Sequence, residues 1–247
     1  MLHATLTIAS FTLLEAVRNR LAWVLGVLVL AALAIGAFIA QLALTESAAI
    51  VVALLASSLR LGAVLLIAVF VVTSIGRETD DKGQELLLAL PLPRAAYLLG
   101  KLAGFALLSL APALLFGAMA AAMAPLADSV LWALSLLCEL WIVAAFALLC
   151  ALSFGQVLTS MAATLAFYLL ARSVSALQQL GFDGRIAERG FDAIAFVLPR
   201  LDQFARAEWL VYPGLAASHM LAVLGQTVIY VTLLGAAGMV DLYRKYI

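Results

Sequence analysis

Long apolar runs, each of about 20 residues or more, constrain this chain more than anything else in it. They fall at about 21–41, 48–75, 97–122, 130–152, 157–176 and 214–240. About 20 apolar residues of helix cross the ~30 Å hydrocarbon layer of a bilayer. Inside hydrocarbon, only helices or closed barrels satisfy their own backbone polar groups. Composition agrees: 66% of the residues are hydrophobic and 11% charged, against roughly a quarter charged in a soluble domain. The expected fold is all-α and polytopic, one transmembrane domain over residues 1–247 with six crossings and both ends on one side.

The second run is longer than a crossing needs and is interrupted by Arg60. It is either a tilted helix or a span whose first part, about 46–57, lies on the outer surface. Residues 1–20 lack the order of a signal peptide. Ile8, Phe11, Leu14 and Val17 recur at helical spacing among polar residues, and Arg18 and Arg20 close the segment. This pattern predicts an amphipathic helix at the membrane surface. Pro125 with Asp128, and Gly155, mark tight turns, and Pro112 predicts a kink in the third run. Gly100 and Gly104 form a GxxxG that permits close helix packing, within the chain or across a dimer.

The polar island at 76–101, GRETDDKGQELLLALPLPRAAYLLGK, interrupts the membrane pattern. Arg77, Glu78, Asp80, Asp81, Lys82 and Glu85 crowd into nine positions. In hydrocarbon each such charge costs about 2.5–3.5 kcal/mol even on the mildest scale, so the island lies at an aqueous face. Leu86, Leu87 and Leu88 then need a cover. Pro91 and Pro93 stop the helix and stiffen the corner before Arg94. One set of segment ends holds Arg18, Arg20, Arg77, Lys82, Arg94, Lys101, Arg244 and Lys245. The other holds mainly Arg185, Arg189, Arg200 and Arg206 in a single loop. The bias of Lys and Arg toward the cytoplasm places the island and both termini inside, and the 178–212 loop outside.

Within that loop, Ile186, Ile194, Val197 and Leu198, then Leu201, Phe204 and Trp209, predict short amphipathic helices on the outer leaflet, with Trp209 and Tyr212 at headgroup level. The loop is either a surface connector or a gate or dock for an external partner. Three charges fall inside runs: Arg60, Glu139 and Arg172. Counting from the inner end of each run puts all three about 20–24 Å up. Opposite charges at one depth predict a pair or triad, which either holds the structure or lines a polar path.

The island, the basic-ended N-terminal helix and the six runs together resemble the ABC-2 type permease family, the membrane subunits of ATP-binding-cassette exporters. The likeness rests on Glu78, Gly83, Glu85, Leu86 to Leu88, Pro91, Arg94, Gly100 and Lys101, and on LPRLDQF at 198–204 followed by Trp209. It implies an exporter subunit in the inner membrane, with residues 76–97 as a cytoplasmic coupling loop that docks on an ABC ATPase. The coupling set would be Arg77, Glu78, Asp80, Asp81, Gly83, Glu85, Leu86, Leu87, Leu88, Pro91 and Arg94. It also implies a homodimer, or a heterodimer with a related permease.

No GxxxxGK[ST] loop is present in this sequence, so ATP and Mg are expected on the partner subunit and no cofactor on this chain. GxSxG, HExxH and paired histidines are also missing, so no catalytic residue is expected. His3 and His219 are isolated and no metal site is expected. Cys138 and Cys150 sit about 18 Å apart on one helix, too far for a disulfide. No nucleic-acid partner is expected. The substrate is not legible; the apolar lining favours an amphipathic or lipidic cargo. The alternative function is a scaffold that borrows the ATPase to move a periplasmic partner at 178–212.

Overall fold

A computed structural model describes residues 2–19, 21–42, 47–81, 93–179, 198–204, 208–211 and 216–245. Among them all regular structure is helical: α1 (Leu2–Arg18), α2 (Leu21–Leu42), α3 (Ser47–Asp80), α4 (Arg94–Leu108), α5 (Leu110–Ala121), α6 (Leu126–Phe154), α7 (Val157–Gln179), α8 (Glu208–Val211) and α9 (Ala216–Lys245). Five helical stretches are long and apolar enough to cross a membrane, counting α4 and α5 as one. The number is six if α1 and α2, bent by 58° at their junction, count together as one span. The chain is therefore a helical multi-pass membrane protein.

Helices α3 and α6 form the centre and pack on each other. In α3 the row Ala63, Ile67, Val71 and Ile75 is fully enclosed, and in α6 so are Leu136, Leu140, Val143 and Ala147. Around them stand α2 on α3, α7 on both, and α9 on α6 and α4. The outer helices turn Val27, Leu30, Leu158, Leu221 and Val228 outward, the inverse of a water-soluble surface and the pattern lipid requires.

The second run is one unbroken 34-residue helix. At 1.5 Å per residue α3 is about 51 Å long, well beyond the hydrocarbon layer. Its last turn contains Arg77, Glu78 and Asp80, so the polar island begins as a continuation of a membrane helix. The third run breaks at Ser109, three residues before Pro112. Proline has no N–H for the ladder and its ring crowds the preceding turn. The indole of Trp141 on α6 donates to the carbonyl of Ala106 at 3.1 Å beside this break. Gly155 ends α6 at φ 65°, a left-handed cap that suits glycine and turns the chain directly into α7.

The GxxxG of α4 is filled from within the chain. A Cβ on Gly100 would lie 2.8 Å from Cβ of Ile8, and one on Gly104 2.8 Å from Cβ of Thr12. Helix α1 thus lies against the glycine face of α4. It buries Ala9, Thr12 and Ala16, while Leu6, Phe11, Leu14 and Val17 point outward. Its small residues meet protein and its large ones are left for lipid. Gly100→Leu is expected to lift α1 away at a cost of about 1–2 kcal/mol, within the range for overpacking. Thiol labelling of Thr12→Cys would read this: slow in the parent chain, fast with Gly100→Leu.

Candidate functional site

One polar constellation stands near the middle of α3 and a second at its C-terminal end. The first is enclosed. Arg60 (1% exposed) and Glu139 (0%) face each other across α3 and α6 with Nη1 2.7 Å from Oε2. A buried guanidinium must place its donors or the charge is ruinous. Here Nη1 also donates to the carbonyl of Phe204 at 2.8 Å, and Nη2 donates to the hydroxyl of Ser135 at 2.8 Å and the carbonyl of Trp132 at 3.3 Å. The guanidinium sits 4.9 Å from the Trp132 ring centroid, a favourable cation–π placement. Ser135 in turn points its hydroxyl at the carbonyls of Trp132 (2.8 Å) and Phe204 (3.2 Å).

Arg172 on α7 completes the set. Its Nη1 is 3.7 Å from Oε1 of Glu139 and donates to the Tyr168 hydroxyl at 2.9 Å. Oε1 accepts no hydrogen bond among the described residues; its partner is the more distant guanidinium. The structure therefore brings Arg60, Glu139 and Arg172 together, one carboxylate between two guanidiniums. Side chains four residues away on the same helix faces, Ser135 before Glu139 and Tyr168 before Arg172, join them. That i, i+4 spacing was readable in advance; the arrival of Phe204 was not.

Phe204 belongs to the long loop, and the loop does not simply float on the membrane. Leu201 and Phe204 are fully enclosed, and Trp209 is 1% exposed. The Leu201 N–H donates to the carbonyl of Ala171 on α7 at 3.2 Å, and α8 packs on α3 and α6. Trp209 is thus a core residue, not a headgroup anchor. It is enclosed because α3 and α6 leave room that a large apolar ring fills. Tyr212 and residues 180–197, where the amphipathic helices are expected, lie outside the described residues.

The second constellation joins the two ends of the polar island. Glu78 of α3 is bonded to α4 twice, by Lys101 Nζ and by the Tyr97 hydroxyl at 2.9 Å. Lys101 is 4% exposed and Glu78 24%. Glu15 of α1 accepts from Ser74 at 2.7 Å and pairs with Arg77 at 3.3 Å. Arg94, at the first turn of α4, lies 5.3 Å from the Tyr243 ring centroid of α9 and donates to its carbonyl at 3.4 Å. Together these bonds form a clamp tying α1, α3, α4 and α9. Of the coupling set, Glu78 is turned inward to that clamp, Arg77 and Arg94 are partly engaged in it, and Asp80 and Asp81 are exposed. Gly83, Glu85, Leu86, Leu87, Leu88 and Pro91 lie outside the described residues.

Asp80 ends α3 and Asp81 directly follows it. There the helix dipole favours cations and disfavours carboxylates by a few tenths of a kcal/mol or more each. Neither residue is placed for the stability of its own helix. Among the described residues no three His, Cys, Asp or Glu side chains gather as a metal site, and Cys138 and Cys150 are buried free thiols. No family model matches the chain, and no curated protein matches it.

Proposed function

We propose that this chain is the membrane subunit of an ATP-driven exporter of the ABC-2 type. In this reading it has six crossings and both termini in the cytoplasm, works as a dimer, and takes its energy from a separate ABC ATPase docked on residues 76–97. The carrying observation is α3. One rigid helix holds Glu78, bonded to α4, and, about 27 Å further along, Arg60, bonded to Glu139 and to the Phe204 carbonyl of the distal loop. A push on the island would move α3 and α4 as a unit and strain the enclosed cluster. The exposed Asp80 and Asp81, unfavourable where they are, offer a cationic partner surface something to bind. Leu86 to Leu88 supply the apolar anchor such a joint needs.

The test is biochemical. A P-loop ATPase should co-purify with the tagged chain. Leu87→Asp with Glu85→Lys should weaken the complex at least about tenfold, as loss of an interface anchor does. A cysteine at Lys82 should label from the cytoplasm only. Labelling from outside intact cells, or an undiminished complex with normal turnover, overturns the reading.

The Phe204 latch favours one second reading. A loop segment tied to α3 could be the moving part, so that the chain drives a periplasmic partner without passing any cargo. Reconstituted vesicles supplied with the ATPase separate the two: vectorial substrate movement supports export, and ATP-dependent motion of the loop without cargo supports the alternative.

A further inference from the structure

The elbow between α1 and α2 leads into a two-part recess. The first part is a polar pocket of ≈ 360 Å³ walled by Glu15, Arg18, Asn19 and Arg77, with Phe11 and Leu14 at its edge. The second is an apolar groove of ≈ 290 Å³ between α2 and α3, bordered by Leu21, Val24, Leu28, Gly62, Val69 and Thr73 among others. Asn19 belongs to both, so the pocket opens onto the end of the groove.

The chemistry of the two parts differs sharply. In the pocket, Glu15 is already committed to Arg77 at 3.3 Å and Ser74 at 2.7 Å. Arg18 makes no ion pair among the described residues and is exposed. Two guanidiniums against one carboxylate leave the pocket with one excess positive charge. In the groove, Gly62 lets Leu28 come close, since a Cβ there would stand 3.1 Å from the Leu28 methyl carbon. Val24 and Val69 border it with about half their surface exposed. From Gly62 to Thr73 the groove follows about 17 Å of helix, close to half of the ~30 Å hydrocarbon layer, the depth of one leaflet.

We infer that this recess binds one anionic phospholipid of the leaflet next to residues 76–101, its phosphate at Arg18 and Arg77 and one acyl chain in the α2–α3 groove. The length of the groove matches a single leaflet, and the excess charge selects the headgroup. A bound lipid would brace α2 against α3 and hold the α1 elbow to the membrane surface. The inference does not depend on the exporter reading; it needs only a membrane-embedded chain.

Native mass spectrometry of the full chain, released from mixed vesicles of phosphatidylglycerol and phosphatidylcholine with identical acyl chains, tests it. One tightly held phosphatidylglycerol per chain is expected, favoured about fivefold over phosphatidylcholine, the effect of one basic residue near an anionic headgroup. Arg18→Gln should remove the preference while leaving lipid bound. Val24→Trp, which fills the groove from its exposed side, should reduce retention of both lipids. Glycerol 3-phosphate, a headgroup without chains, should not displace the lipid. Equal retention of the two lipids by the parent chain, an unchanged preference in Arg18→Gln, undiminished retention in Val24→Trp, or displacement by glycerol 3-phosphate would each overturn the proposal.

Discussion

Glu139→Leu is expected to destabilise the folded chain by about 3–5 kcal/mol, the usual cost of removing one partner from a buried ion pair. Arg60 would keep its bonds to Ser135 and the carbonyls of Trp132 and Phe204. Its charge, enclosed with 1% exposure, would lose its nearest carboxylate and face Arg172 with no anion between them. Unfolding in a graded detergent denaturant would measure the loss. Glu139→Gln should cost less, because its carbonyl oxygen can still accept from Arg60. The informative variant is the pair Arg60→Met with Glu139→Leu. Replacing a buried pair by apolar groups of similar size is often neutral or stabilising, and neighbours in one network do not add. The double variant should therefore be more stable than Glu139→Leu alone. Its function separates two roles. If the cluster only holds the bundle, activity returns with stability. If α3 pulls on Phe204 through Arg60, the double variant folds and stays inactive.

Glu78→Leu is the second large effect, about 2–3 kcal/mol, discounted from the range for a buried pair because Glu78 is 24% exposed. Lys101, at 4% exposure, would lose its carboxylate, and the Tyr97 hydroxyl its acceptor. The functional consequence should exceed the energetic one. With the bond between α3 and α4 cut, the two helices would no longer move together. Under the exporter reading proposed above, an associated ATPase would then hydrolyse ATP without moving cargo. Co-purification of the ATPase should survive, since Glu78 points into the clamp and not outward. Loss of binding, in place of loss of coupling, would mean that Glu78 itself contacts the partner.

Much of this was written in the order of residues, for a reason that can be given residue by residue. A run such as 130–152 has no water-soluble alternative: its backbone must be helical in lipid, and its length spans the bilayer. The same logic predicts an aqueous face for the crowd from Arg77 to Glu85. Glycine's access to positive φ made Gly155 readable as a turn, and the common depth of Arg60, Glu139 and Arg172 follows from counting 1.5 Å per residue. These are local properties, fixed by what a segment's own side chains can tolerate around themselves.

What the order of residues left open was always a choice between partners that are distant along the chain. GxxxG at Gly100 reads the same whether its groove takes a second copy or a nearby helix; Ile8 and Thr12 fill it because α1 folds back over α4. Glu78 reads as a surface acid until Lys101 and Tyr97 come round from α4 to meet it. Leu201, Phe204 and Trp209 carry the same apolar pattern on a membrane surface as in a protein core, since both take apolar side chains out of bulk water. Only the gap between α3 and α6, with a buried guanidinium in need of one more acceptor, sends the Phe204 carbonyl inward. Hydrophobicity says that a residue leaves water. It does not say for what, and that answer exists only once the helices are packed.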